Sequence, residues 1–233
     1  MNKAWFFGDS FTVGTGCTPN SVYYENYPLE RKKLWPELIS EEFGFNMKNR
    51  GIEGGGSPII LHNICKTLPE IKKNDLVVLS GSLVNRLPLV NGLSKEPPYI
   101  ETVNTGVFNK KAAPTFDPKI GKNEFFKDKD AELTFLKFVS DSIEPYVENW
   151  EAFYREHFYG LVNFLNSANI EAYYWDHRIW NTRTRLHEHE VIADLKKPDT
   201  KDRHWSWNGH ASFAKYLSRR IKNKEYIDKL WFN

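Results

Sequence analysis

The sequence predicts an α/β fold built on a central parallel sheet, and three observations carry that prediction. Ala4 to Phe7, Phe45 to Arg50 and Asp75 to Ser80 are short, strand-like runs. Each closes on glycine or other small residues: Gly8-Asp9-Ser10, the Gly51 to Ser57 stretch, and Gly81. Each is read as followed by a helix. Alternating strand and helix of this kind describes a parallel sheet covered by helices.

The elements follow in order. Ala4 to Phe7 is a continuous apolar run of the kind that forms a strand buried on both faces. Leu34, Trp35, Leu38 and Ile39 recur at helical spacing, and Gly44 supplies a C-terminal stop. After the second strand, Pro58 to Leu68 suits a helix with Ser57 as N-cap and Pro58 in its first position. Pro145 to Leu165 reads as a long helix whose aromatics, Trp150, Phe153, Tyr154, Phe158 and Tyr159, share 3–4 spacing and are expected in the core. Ile170 to Trp175 is a further strand, and a last helix is expected from Asn208 to about Lys222. Asn91 to Asp141 breaks the rhythm: it carries Pro97-Pro98, Pro114 and Pro118, many charges and no sustained period. A structureless connection of that length is unusual inside a compact domain and is commonly functional. It reads as an insertion over the active-site edge. Residues 1–233 are therefore expected to form one domain carrying an insertion at 91–141, in keeping with a length of 233 residues.

Composition narrows the function classes. Hydrophobic residues make up 40% and charged residues 27%, which fits a globular chain and not a disordered one. The 32 basic and 30 acidic side chains are interspersed, and Lys110-Lys111 and Lys196-Lys197 are only short basic pairs, so a nucleic-acid partner is not expected. No run approaches the roughly 20 apolar residues that span a bilayer, and the N-terminal apolar run is too short for a signal peptide. No membrane partner and a cytoplasmic location are the expectation. Two cysteines, Cys17 and Cys65, are too few for a disulfide framework.

Serine hydrolysis needs a nucleophile, a base to take its proton, an acid to orient the base and donors for the oxyanion. In parallel α/β sheets ligands sit beyond the carboxyl ends of the strands. There Ser10, the Gly54 loop and the segment from Ser82 to Asn85 would converge. Asp202-Arg203-His204-Trp205, ahead of the last helix, supplies an imidazole and a carboxylate. Gly-Asp-Ser taken alone is common and reads as a plain turn; the combination carries more weight.

Gly8-Asp9-Ser10-Phe11, Asn49-Arg50-Gly51-Ile52-Glu53-Gly54 and Asp202-Arg203-His204-Trp205-Ser206-Trp207-Asn208-Gly209-His210 together resemble, in order and spacing, blocks of the SGNH (GDSL-like) hydrolases. The resemblance covers roughly residues 3–85 and 145–222. It implies a flavodoxin-like three-layer sandwich, with Ser10 as nucleophile, His204 as base and Asp202 as orienter. It further implies an oxyanion hole from the Ser10 and Gly54 backbone N–H groups. The last block has Asp202-x-His204 where the family has Asp-x-x-His, with Asp199 as the weaker alternative. The third block reads Gly81-Ser82-Leu83-Val84-Asn85 where the family has Gly-x-Asn-Asp. Asn85 or Ser82 would then replace the missing oxyanion asparagine.

This implies an ester-cleaving enzyme that needs no metal or cofactor. By the same resemblance its substrate is an ester, with O-acetylated carbohydrate the leading class. An acyltransferase with the same triad and a catalytically silent binding or structural protein are the alternatives. Trp205 and Trp207 flank the base and suit sugar rings or acyl chains, with core packing an equal alternative for one of them. His187-Glu188-His189-Glu190 lacks a supporting third ligand and reads as a solvated stretch. His210 reads as a helix cap or a residue that supports the site, not as a catalytic base; Asp176-His177, at a strand end, reads as an ordinary loop in preference to an edge of the active site, and Cys17 as a small buried thiol. Nothing in the sequence fixes the oligomeric state.

Overall fold

The computed structural model describes residues 2–14, 33–53, 55–82, 86–90, 100–104, 147–176, 205 and 207–227, together with 130, 134 and 137. Strands β1 (Lys3–Phe7), β2 (Asn46–Asn49), β3 (Leu76–Gly81) and β6 (Glu171–Asp176) form one parallel sheet in the order β2-β1-β3-β6. Register is set by pairs such as Phe6 with Asn49, Phe7 with Leu79, and Gly81 with Asp176. A parallel bridge between Tyr174 and Ile227 adds a fifth position beyond β6. Among the described residues the four-stranded order β2-β1-β3-β6 follows the first four positions of the flavodoxin-like arrangement 2-1-3-4-5.

Alternation along each strand divides the core in two. Ala4, Phe6, Leu76, Val78, Tyr173 and Trp175 face helices α2 (Trp35–Phe43) and α5 (Trp207–Lys222), meeting Trp35, Ile39, Phe213 and Leu217. Trp5, Phe7, Val77, Leu79, Ala172 and Tyr174 face α3 (Ser57–Thr67) and α4 (Val147–Ser167), meeting Ile60, Ile64, Phe158 and Val162. The result is helix, sheet, helix. Strands buried on both faces need continuous apolar runs, which is why Ala4 to Phe7 and Leu76 to Leu79 are legible as strands.

Three expectations change. Gly56, not Ser57, caps α3, and Ser57 and Pro58 open the helix. The Ser57 hydroxyl is turned instead to β3, donating to the Ser82 carbonyl at 2.6 Å and accepting from the Ser82 N–H at 3.0 Å. A tertiary contact has overridden the local cap. The 91–141 stretch is not structureless throughout: β4 (Arg86–Val90) pairs antiparallel with β5 (Ile100–Asn104), and β5 lies inside it. Pro88, opposite Thr102, interrupts the strand signal there. On α4, Phe158 is buried and Tyr154 and Tyr159 are half-buried, but Trp150 and Phe153 are 46% and 48% exposed. They lie, with Phe164, roughly a third of a turn around the helix from the Phe158–Val162–Leu165 seam. Spacing of 3–4 identifies a stripe without saying which stripe meets the sheet.

Candidate active site

The carboxyl ends of β1, β2 and β3 meet at the expected edge. After β1 the chain turns at Gly8 into a single helical turn, α1 (Ser10–Val13), capped by the Asp9 side chain. A Cβ at Gly8 would stand 2.1 Å from Thr12 Oγ1 and 2.8 Å from Ser80 Cβ, so only glycine lets this turn fold back over the strand ends. Gly14 closes it with φ 83°, its N–H donating to the Ser10 carbonyl at 2.9 Å.

The second block is stitched to the first. The Ile52 N–H donates to the Gly8 carbonyl at 2.8 Å, extending the β1–β2 pairing past the strand ends. Asn49 accepts from the Gly51 N–H at 2.9 Å and donates through Nδ2 to the Thr12 carbonyl at 2.8 Å. One side chain thereby fixes the glycine loop against α1. The sequence placed Asn49 in the block but gave it no task.

Ser10 is buried, with 3% of its surface exposed, and its Oγ has no hydrogen-bond partner among the described residues. Leaving such a group unpaired costs about 1–3 kcal/mol, and an unsatisfied buried polar atom calls for an explanation such as a catalytic role. Asp9 is fully buried. Its Oδ1 accepts from the Phe11 N–H at 3.1 Å and its Oδ2 from the Ser82 hydroxyl at 2.7 Å. Ser82 therefore spends its hydroxyl on Asp9 and its N–H on Ser57. This corrects the expectation that Ser82 could donate to an oxyanion: both of its donors are committed. Asn85, the alternative, lies outside the described residues, as do Gly54, Asp199, Asp202, His204, the 187–190 stretch and Cys17.

Trp205 and Trp207 frame α1 from the other end of the chain. The Trp205 ring lies 5.0 Å from Phe11, 5.7 Å from Trp175 and 4.9 Å from Phe213. Trp207 packs with Leu34, the side chain that a Cβ at Gly14 would strike at 2.5 Å. Both indoles are buried, so neither is an exposed platform for a sugar ring, and the core-packing alternative describes Trp205. His210, in the first turn of α5, is buried with its ring 5.6 Å from Trp205. Asp176, expected as an ordinary loop residue, is instead the fully buried end of β6, accepting from the Tyr174 hydroxyl at 3.2 Å. Cys65 is an exposed free thiol on α3.

No helix among the described residues is long and apolar enough to cross a membrane. No family model matches the sequence, and no curated protein matches it. Among solved structures the chain is similar to that of a proposed lipolytic protein of the G-D-S-L family from Desulfitobacterium hafniense, at 15% identity and a TM-score of 0.38, covering 94% of this chain and 99% of that one. The α/β architecture rests on this chain's own strand order and layers.

Proposed function

We propose that this chain is a serine esterase-type hydrolase of the SGNH kind, with Ser10 as nucleophile, His204 as general base and Asp202 as the carboxylate that orients it. One observation carries the reading. The ring contact between Phe11 and Trp205 joins the residue after Ser10 to the residue after His204. Residues that adjoin two distant motifs thus meet at one strand edge, beside a buried serine hydroxyl with no hydrogen-bond partner among the described residues.

In this scheme the Ser10 Oγ attacks the ester carbonyl carbon while His204 takes its proton. The tetrahedral oxyanion is held by the Ser10 and Gly54 backbone N–H groups and by Asn85, now that Ser82 is committed elsewhere. Collapse expels the alcohol, protonated by His204, and water hydrolyses the acyl-enzyme by the same steps in reverse. Short acyl groups on carbohydrate are the substrate class that the motif resemblance favours. An acyltransferase would differ only in the acceptor.

The test is a screen of purified protein against short-chain aryl esters and acetylated glycans, with products resolved in water and with added alcohol acceptors. Ester cleavage to free acid supports the hydrolase. Acyl transfer to the acceptor in preference to water supports the transferase. No turnover of any ester, with Ser10 unreactive to a fluorophosphonate, supports a silent binding or structural protein.

A further inference from the structure

We infer that Ser82 is a positioning residue for Ser10, acting through the buried carboxylate of Asp9; this deepens the proposed esterase reading and rests on it. A carboxylate capping a single helical turn is ordinarily free to rotate, because one hydrogen bond to the second N–H of the turn is all that holds it. Asp9 is held at both oxygens. Oδ1 takes the Phe11 N–H at 3.1 Å, and Oδ2 takes the Ser82 hydroxyl at 2.7 Å. Its backbone carbonyl takes the N–H groups of Thr12 and Val13 at 2.9 and 3.0 Å. Several of the bonds that shape the Ser10 side of α1 therefore pass through Asp9, and the Ser82 hydroxyl holds one oxygen of its carboxylate.

Ser82 is itself fixed. Its N–H and carbonyl straddle the Ser57 hydroxyl, at 3.0 and 2.6 Å, and it is 1% exposed. A buried polar chain thus runs from the start of α3, through the end of β3, to the turn that carries the serine. In this reading its members act through the turn and not on a reacting atom. Its effect is on where the Ser10 hydroxyl and N–H stand, and misplacing a reacting group by about 1 Å can cost on the order of 100-fold in rate. A short polar side chain at Ser82 is needed for that reason. The hydroxyl also keeps the Asp9 charge satisfied in a dry setting, beside the place where a second negative charge develops.

The experiment measures kcat and KM on p-nitrophenyl acetate, and the rate of Ser10 labelling by a fluorophosphonate, for the wild-type chain, Ser82→Ala and Ser82→Thr. Hydrogen exchange at the Phe11 amide is followed in parallel. Ser82→Ala should lower kcat and the labelling rate about tenfold with KM within about twofold, and the Phe11 amide should exchange faster, since the loss lies in placement and not in binding. Ser82→Thr, which restores the hydroxyl, should recover most of kcat. If Ser82→Ala does not fold, Asp9→Asn takes its place: an amide offers one acceptor oxygen where the carboxylate offers two, and the same kcat-only loss is expected. Wild-type kcat in whichever of these variants folds overturns the inference, as does a rise in KM alone or a failure of Ser82→Thr to recover what Ser82→Ala lost. A wild-type chain that neither turns over ester nor labels at Ser10 overturns the esterase reading and this inference with it.

Discussion

Ser10 carries the chemistry in this account, and its environment separates activity from stability. Because its buried hydroxyl has no hydrogen-bond partner among the described residues, Ser10→Ala should leave Tm close to the wild-type value, while ester turnover falls by about 1,000-fold or more. A thermal melt and a p-nitrophenyl acetate assay on the same preparation check both halves. Gly8 behaves oppositely. Gly8→Ala drives a methyl into Thr12 Oγ1 and Ser80 Cβ, so it should cost about 1–3 kcal/mol and disturb the turn as well. For the orienting acid, the motif resemblance places Asp202 directly ahead of His204. Asp202→Asn should therefore lower kcat far more than Asp199→Asn, and the reverse order would assign the role to Asp199. Legibility at this scale was uneven. The Gly8-Asp9-Ser10 turn announces itself, because glycine and small polar residues after an apolar run have few other uses. The tasks of Asp9, Asn49 and Ser82 do not. Each is defined by a partner far away in the chain, and nothing in local spacing records it.

At the scale of elements, period and punctuation were enough to find β1, β2, β3 and β6; β1, β3 and β6 read as apolar runs because they are buried, whereas β2 is partly exposed and is marked by the glycine-rich stretch that follows it. They were not enough to orient a helix or to recognise the ribbon. Trp150 and Phe153 share their spacing with the core residues of α4, and only the packing of Phe158, Val162 and Leu165 on the sheet decides which stripe is inside. The β4–β5 ribbon was hidden by Pro88 and the charges around it. That ribbon leaves β3 at the active-site edge, and a binding loop on a rigid scaffold is a common arrangement. Replacing residues 105–141 by a short linker, with the ribbon spared, should impair large glycan esters much more than a small aryl acetate. Equal loss on both substrates, in a folded protein, would make the segment part of the catalytic framework. Between helices, Glu42 of α2 accepts from Ser218 and Lys222 of α5. These bonds, Lys222 first, hold its carboxyl below the ordinary value of 4.5. A depressed folded value means that the contribution is fully present above pH 4.5 and fades as pH falls through the lowered value. Because the pair is exposed, Glu42→Gln should cost no more than about 1 kcal/mol at pH 7. The difference from wild type should vanish in strong acid, as denaturant titrations at pH 7 and pH 2.5 would show.

Across the whole molecule, one end of the sheet carries a buried tie between strands and the other carries the candidate site. At the amino end of the strands the buried Asp75 carboxylate accepts from the Lys3 N–H at 2.8 Å, the Trp5 indole at 2.9 Å and the Lys72 N–H at 3.0 Å, tying β1 to β3. Asp75→Ala strands a buried indole donor and should cost about 2–4 kcal/mol with kcat of the folded fraction unchanged. Measuring unfolding and turnover together checks that separation. At the carboxyl end lie Asp9 and Ser10 at the start of α1, Ser82 just past β3 and Trp205 just ahead of α5, where parallel α/β sheets place their ligand sites. Of the segments expected to converge at this edge, those of Ser10 and Ser82 are joined there through Asp9, while Gly54 and Asn85 lie outside the described residues. The burial of Trp205 and Trp207 followed from long-range packing on Phe11, Trp175 and Leu34.

The central claim, that Ser10 is an activated nucleophile, is tested most directly by treating the purified chain with a fluorophosphonate from pH 5 to 9 and mapping the adduct by peptide mass. A single adduct on Ser10, absent from Ser10→Ala, should form, with a rate that rises through the titration of a histidine and collapses in His204→Ala. A folded chain that stays unlabelled, or that labels equally well without His204, would contradict the account.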